Sequence, residues 1–189
     1  MARRDQSRLR PRIGAEEVMP IRDEPATAAN EGRTKRRLRE ISVDFEIPFH
    51  DVDALQIVWH GHYFKYFELA RTALLRSCKL DGPEVRELGH GMLVIESHCR
   101  HVSPLAYGDQ IRITAWLADV IHRVHIRYEI QNLTEGRRAA RGHTTLVATT
   151  RKGEMLHRTP RGILERLSAG DDAGYESAIR RTNLSSGER

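Results

Sequence analysis

The chain has 189 residues, of which 39% are hydrophobic and 30% are charged, and its formal net charge at pH 7 is +5. This length and composition predict one globular core. Residues 1–40 contain 11 Lys and Arg against 7 Asp and Glu, so they hold +4 of the charge, and the middle of the chain is almost neutral. Basic charge outside the core argues against nucleic-acid binding. No apolar stretch approaches the roughly 18 residues of a membrane span, and no signal peptide is recognisable.

The cysteine content indicates a reducing compartment. Cys78 and Cys99 are far apart and belong to no Cys-x-x-Cys pair. This spacing predicts reduced thiols and neither a disulfide framework nor a thiolate zinc site. Since no signal peptide is recognisable, we expect a soluble, cytoplasmic protein.

The two ends of the chain differ from the middle in composition. Residues 1–40 carry scattered apolar side chains with no sustained period, which predicts a disordered basic tail. Residues 168–189 are rich in Gly, Ser and Asp, which predicts a flexible C-terminal tail with at most one short helix around residues 175–181. The folded domain is therefore expected over residues 41–167.

Between these ends, the spacing of apolar residues predicts one long helix and five strands. Residues 42–49 alternate in polarity, as a strand does. From His62 to about Cys78, apolar residues recur at three and four positions, which is typical of an amphipathic helix. After the breaker-rich stretch 81–91, four more strand patterns follow: Met92–Val102, Gln110–Ala118, Val124–Ile130 and Ala139–Thr150. The short links between them predict an α+β fold, in which a five-stranded antiparallel sheet wraps around one long helix.

Most side chains capable of chemistry lie between the first strand and the helix. Asp51, Asp53, three histidines and Tyr63 fall within fifteen residues there. The first N–H groups of a helix lack intrahelical partners and can bind an oxygen that gains negative charge. A carboxylate beside such donors can hydrolyse an activated acyl group. Plainer interpretations stay open at this point: either aspartate caps a turn, and the histidines are ordinary surface residues.

Other chemistries have less support in the sequence. No His-x-x-x-His pair on a helix and no thiolate pair supports a metal site, so we expect no metal. No Gly-x-Ser-x-Gly elbow marks a serine hydrolase. Neither a P-loop nor a Gly-x-Gly-x-x-Gly motif occurs, which disfavours nucleotide hydrolysis and dinucleotide redox chemistry. We therefore expect no cofactor.

One motif carries a resemblance to a known family. It runs Asp51-x-Asp53-Ala54-x-x-Ile57-Val58-Trp59-His60-x-x-Tyr63-x-x-Tyr66-Phe67-Glu68-x-Ala70-Arg71. The motif resembles the signature of hot-dog-fold thioesterases of the 4-hydroxybenzoyl-CoA thioesterase and YbgC-like type, and the resemblance covers about residues 42–167. It implies that the sheet curls around the long helix and that two protomers pair their sheets side by side. A homodimer or homotetramer with its active site at the dimer interface is therefore expected.

The same resemblance implies roles for individual residues. Asp53 is the catalytic carboxylate, which either attacks the thioester carbonyl or activates a water molecule. The main-chain N–H group of His60, at the start of the helix, polarises that carbonyl. Further substrate contacts are expected from Val58, Trp59 and Tyr63 at the acyl group, and from His122 and Arg123 at the CoA phosphates.

Two positions depart from the family pattern. Val52 stands where Thr or Cys is common, and Gln56 stands where a small Gly or Ala is common. If position 56 requires a positive φ, glutamine strains the loop. Glu68 and Arg71, three residues apart on the helix, are expected to pair.

The function implied by the resemblance is that of an acyl-CoA thioesterase, which converts an acyl-CoA and water into a carboxylic acid and free CoA. Two alternatives stay open. A thioesterase acting on acyl carrier protein would use the same chemistry, with basic residues meeting the acidic carrier. A non-catalytic acyl-binding subunit would keep the fold alone, although the presence of Asp53 argues against it. The sequence does not fix the acyl chain.

Overall fold

The computed structural model describes residues 37–169, and the expected C-terminal helix around 175–181 and nearly all of the expected N-terminal tail lie outside them. The strands are β1 (Leu38–Glu46), β2 (His90–His101), β3 (Gln110–Asp119), β4 (Val124–Asn132) and β5 (Arg137–Thr150). The helices are α1 (His62–Ser77), α2 (Gly82–Glu87) and α3 (Arg161–Ser168), and a single 3₁₀ turn covers Phe49–Asp51. None of the helices in residues 37–169 is long and apolar enough to cross a membrane.

The five strands form one antiparallel sheet in the order β1-β3-β4-β5-β2, which confirms the predicted α+β architecture. Each of β3 and β4 buries every second side chain, as a sheet with one covered face requires. The buried set includes Ile111, Ile113, Leu117, Ile126 and Ile130, all with no exposed surface. These residues form the sheet side of the core.

The helix α1 covers that face of the sheet, and its observed bounds confirm the predicted helix. Its buried side chains are Tyr63, Tyr66, Phe67, Ala70 and Leu74, spaced three and four residues apart along one stripe. The ring of Phe67 stacks on Tyr128 of β4 with a centroid separation of 4.5 Å. Gly142 of β5 permits this approach, because a Cβ atom there would lie 2.5 Å from the Phe67 ring.

The first strand begins four residues earlier than predicted and ends three residues earlier. Its pairing with β3 is irregular between Leu38 and Ile41, where Arg39 has a φ of 52°. That irregularity breaks the alternation of apolar residues, so the period alone did not reveal the start of the strand. Pro48 ends the strand because it has no N–H group for the ladder.

Two short helices were not predicted. The start of α2 lies at Gly82-Pro83, where Asp81 accepts a hydrogen bond from the main-chain N–H of Gly82 and proline occupies the first turn. The glycine and proline here predict only a break between elements, although proline is also common at helix starts. The other helix, α3, follows Pro160 and buries Ile163, Leu164 and Leu167.

Candidate active site

The chain between β1 and α1 forms a tight hairpin that carries the motif aspartates. The N–H of Asp53 donates to the carbonyl oxygen of Ile57 (2.9 Å), and the N–H of Gln56 donates back to the carbonyl oxygen of Asp53 (2.9 Å). The N–H of Trp59 closes the base of the hairpin on the carbonyl oxygen of Asp51 (3.0 Å). A second segment supports it, since the N–H of Val58 donates to the carbonyl oxygen of Leu105 (2.8 Å).

Asp53 lies in the turn of this hairpin with a half-buried side chain. Its Oδ1 accepts a hydrogen bond from the N–H of Leu55 (2.8 Å), so the residue does cap a turn. Within residues 37–169, Oδ2 accepts no hydrogen bond. The cap therefore orients the carboxylate and leaves one oxygen available for chemistry.

Asp51, two residues earlier, has a different environment. Its side chain is fully buried and accepts hydrogen bonds from Lys65 Nζ (2.9 and 3.2 Å) and from the Tyr66 hydroxyl (2.8 Å). Burial favours the neutral acid, but the hydrogen bonds from Lys65 and Tyr66 outweigh burial and hold the pKa of Asp51 below its usual 3.8. Burial and the bond to Asp51 raise the pKa of Tyr66, which keeps its hydroxyl a donor. This role of Lys65 was not predicted from the sequence, although the residue lies within the motif.

His60 lies in a turn just before α1 and not in the helix itself. The N–H of His62 donates to the carbonyl oxygen of Trp59 (2.9 Å), and the helix begins at His62 after Gly61. In the described part of the chain, no hydrogen bond uses the main-chain N–H of His60. A Cβ atom at position 61 would overlap the Trp59 indole, so any residue larger than Gly61 would force this exposed side chain to move. The main-chain N–H of His60 therefore lies in this turn, two residues before the helix start at which it was expected.

The residues expected around the acyl group lie on both sides of this turn. Val58 is buried, and Trp59 is 48% exposed. Tyr63 is buried, and the centroid of its ring lies 4.5 Å from that of His101. Burial raises the pKa of Tyr63 to about 12, although a main-chain hydrogen bond at Leu105 lowers it. The buried ring of Tyr63 can form a wall of the site, and its hydroxyl stays protonated.

His122 and Arg123 lie at the other end of the sheet. They belong to the turn between β3 and β4, whereas the hairpin adjoins the start of β3, and the ten residues of β3 span roughly 30 Å. The Arg123 guanidinium donates to the main-chain carbonyl oxygens of His122 (2.9 Å), Leu156 (3.3 Å) and His157 (3.4 Å). Within one chain, the structure does not bring these two residues to Asp53.

Comparison with known proteins identifies the family. The family model described as "Thioesterase-like superfamily" matches residues 47–167, which include the hairpin, α1 and every strand of the sheet except β1. The chain belongs to the thioesterase-like superfamily. This membership confirms the resemblance found in the motif.

Two relatives of this thioesterase-like chain are each named "Putative esterase". The one from Aquifex aeolicus is 34% identical over 67 residues, which are 35% of this chain and 52% of the relative. The one from Synechocystis is 30% identical over 123 residues, which are 62% of this chain and 72% of the relative. The matched segment thus spans only about half the length of the Aquifex relative.

A solved structure confirms the hot-dog fold of this superfamily member. A mutant 4-hydroxybenzoyl-CoA thioesterase, crystallised with 4-hydroxybenzoyl-CoA, superposes with a TM-score of 0.61 at 21% identity. The match covers 69% of this chain and 99% of that chain. The predicted pairing on the helix is also confirmed, since Arg71 Nη2 lies 2.8 Å from Glu68 Oε1.

Gln56 has a φ of 60°, which is the condition under which the sequence predicts strain in this loop. We expect Gln56→Gly to raise the melting temperature by about 2–4 °C, because relief of the left-handed strain of about 1–2 kcal/mol exceeds the backbone entropy cost of glycine, about 0.5–1 kcal/mol. Gln131→Gly on the exposed face of β4 is the matched control, and it should lower the melting temperature. Equal destabilisation by both changes would show that Gln56 is unstrained.

Proposed function

We propose that this protein is an acyl-CoA thioesterase, which hydrolyses an acyl-CoA to a carboxylic acid and free CoA in the cytoplasm. The observation that carries the proposal is the hairpin itself. It presents a carboxylate oxygen of Asp53 that makes no hydrogen bond in residues 37–169, and it leads directly into the turn with the free N–H of His60. These are the base and the oxyanion donor that thioester hydrolysis needs.

The chemistry can follow two routes from the same geometry. In one, an Asp53 oxygen attacks the thioester carbonyl carbon, the C–S bond breaks to release CoA thiolate, and water then hydrolyses the resulting anhydride. In the other, Asp53 takes a proton from a water molecule that attacks the carbonyl carbon directly, and the C–S bond then breaks to release CoA, whose sulfur takes up the proton. In both routes the N–H of His60 stabilises the negative charge on the carbonyl oxygen, a contribution typically worth about 10²–10³ in rate.

The site is proposed to lie at the interface of a homodimer. β2 is an edge strand of the sheet, and Leu93, Val94 and Ile95 expose 51%, 44% and 49% of their surfaces there. A long apolar edge with unpaired N–H and C=O groups is an aggregation hazard unless another strand pairs with it. His101 at the end of this strand contacts Tyr63, so a partner on β2 borders the acyl site.

In such an assembly, His122 and Arg123 are proposed to meet the CoA phosphates of a site on another subunit, because the length of β3 separates them from Asp53 in their own chain. Arg123 already binds three main-chain carbonyls, so His122, which is exposed, is the freer of the two. Further pairing of dimers would give a homotetramer.

The carrier of the acyl group can be tested by comparing two thioesters. The same acyl chain is presented on CoA and on acyl carrier protein, and released thiol is measured for each. We expect a higher kcat/KM on CoA. A higher kcat/KM on the carrier protein would show that the substrate is an acyl carrier protein thioester, hydrolysed by the same chemistry. Binding of both thioesters without release of thiol would favour the non-catalytic acyl-binding subunit.

A further inference from the structure

Asp51 is a buried charge that the thioesterase chemistry described above does not use. Its side chain has no exposed surface, and it accepts three hydrogen bonds from two residues in the first turns of α1. Burying a carboxylate is costly even when it is paired, and a buried ion pair often contributes little net stability compared with apolar packing. A buried pair at this position therefore calls for a role other than general stability.

The contacts of Asp51 join the parts of the chain that carry the chemistry. Its side chain binds Lys65 and Tyr66, so it fastens the base of the hairpin to α1. Its main-chain carbonyl oxygen accepts the N–H of Trp59, the residue directly before His60. Asp51 therefore connects the first residue of the hairpin to the last one, and it connects this base of the hairpin to α1.

Asp53 and His60 have no comparable anchors of their own. The only side-chain hydrogen bond of Asp53 in residues 37–169 is the one from Leu55 inside the turn, and the His60 side chain is exposed. The position of Asp53 relative to His60 therefore depends on the base of the hairpin, where Asp51 lies. A displacement of about 1 Å between reacting groups can cost on the order of 100-fold in rate.

We propose that Asp51 is a positioning residue, which holds the Asp53 carboxylate at a fixed separation from the main-chain N–H of His60. This inference rests on the proposed thioesterase function and deepens it. Asp51 does not touch the substrate. It acts through the hairpin, with the Tyr66 hydroxyl and the Lys65 ammonium as its two hydrogen-bonded fixed points on the helix, where His62 Nε2 also lies 3.8 Å from Asp51 Oδ1.

The first test removes one fixed point without changing the shape of the core. Tyr66→Phe deletes the hydroxyl that binds Asp51 and keeps the ring, which lies 5.5 Å from the ring of Phe45 and 6.1 Å from that of Tyr63. We expect kcat for acyl-CoA hydrolysis to fall about tenfold while KM stays within about twofold, because only the alignment of the reacting groups changes.

Tyr128→Phe is the matched control. Tyr128 is also a buried tyrosine beside the helix, but by distance and angle its hydroxyl makes no hydrogen bond in residues 37–169. This variant should keep the wild-type kcat. A purely structural role of Tyr66 would lower the melting temperature and leave kcat per folded molecule and KM unchanged, which would overturn the proposal.

Lys65→Met provides a second, independent variant if Tyr66→Phe folds poorly. It removes the other fixed point from a half-exposed position on the helix, and the same fall in kcat is expected. If the wild type hydrolyses acyl-CoA and both variants retain its kcat, the positioning role is wrong and the proposed function stands. If the wild type hydrolyses no thioester, the proposed function itself fails.

Discussion

Asp53→Asn is expected to lower kcat for acyl-CoA hydrolysis by about 10²–10⁴, with little change in folding. An amide neither takes a proton from water nor attacks a carbonyl carbon as a carboxylate does. Its oxygen can still accept the hydrogen bond that the N–H of Leu55 donates to Asp53 Oδ1, so the turn is preserved. Initial rates of thiol release and thermal unfolding of the purified variant measure the two expectations.

Asp119→Asn is the control for the change in charge and for the turn. Asp119 Oδ1 accepts a hydrogen bond from the N–H of Ile121 (3.0 Å), as Asp53 Oδ1 does from Leu55, but at the end of β3 away from the hairpin. Its kcat should equal that of the wild type. Equal losses in the two variants would contradict the assignment of Asp53 as the catalytic carboxylate.

Leu93→Glu combined with Ile95→Glu is expected to convert the proposed dimer into monomers. Each substitution places a charge on the exposed edge of β2, where burial of an unpaired charge costs at least about 2 kcal/mol. Two such charges in each subunit should raise the dimer dissociation constant by about 10³-fold or more. Sedimentation velocity over a range of protein concentrations measures the change, and activity should fall as monomers appear.

Leu133→Glu is the control for added surface charge. Leu133 is 41% exposed in the turn after β4, so it resembles Leu93 in exposure and lies on no sheet edge. Its sedimentation coefficient should match that of the wild type. A double variant at β2 that stays dimeric would show that the protomers pair through another surface.

The periodic elements of this fold were predictable because burial of one face imposes a period on the sequence. The apolar stripe of α1 and the alternation of apolar residues in β3 and β4 mark the side chains that the core buries. The start of β1 escaped prediction because an irregular register near Arg39 interrupts the alternation. The short helix α2 escaped because Gly82-Pro83 ends one element as readily as it begins another.

The parts of the candidate site that lie close together in the sequence were predictable, and the contacts between residues far apart in the sequence were not. Asp53 and His60 lie within one motif, so sequence spacing alone places them together. The contact between Asp51 and Lys65 joins residues fourteen positions apart, and it depends on how the hairpin folds onto the helix. The position of Arg123 likewise depends on the register of the strands, which the spacing of apolar residues does not predict.

Thiol release from a panel of short, medium, long and aromatic acyl-CoAs, measured with the full-length protein, tests the proposed function most directly. We predict saturable release of free CoA from at least one member of the panel, and the best substrate identifies the acyl class. Release no faster than spontaneous hydrolysis from every member would contradict an acyl-CoA thioesterase.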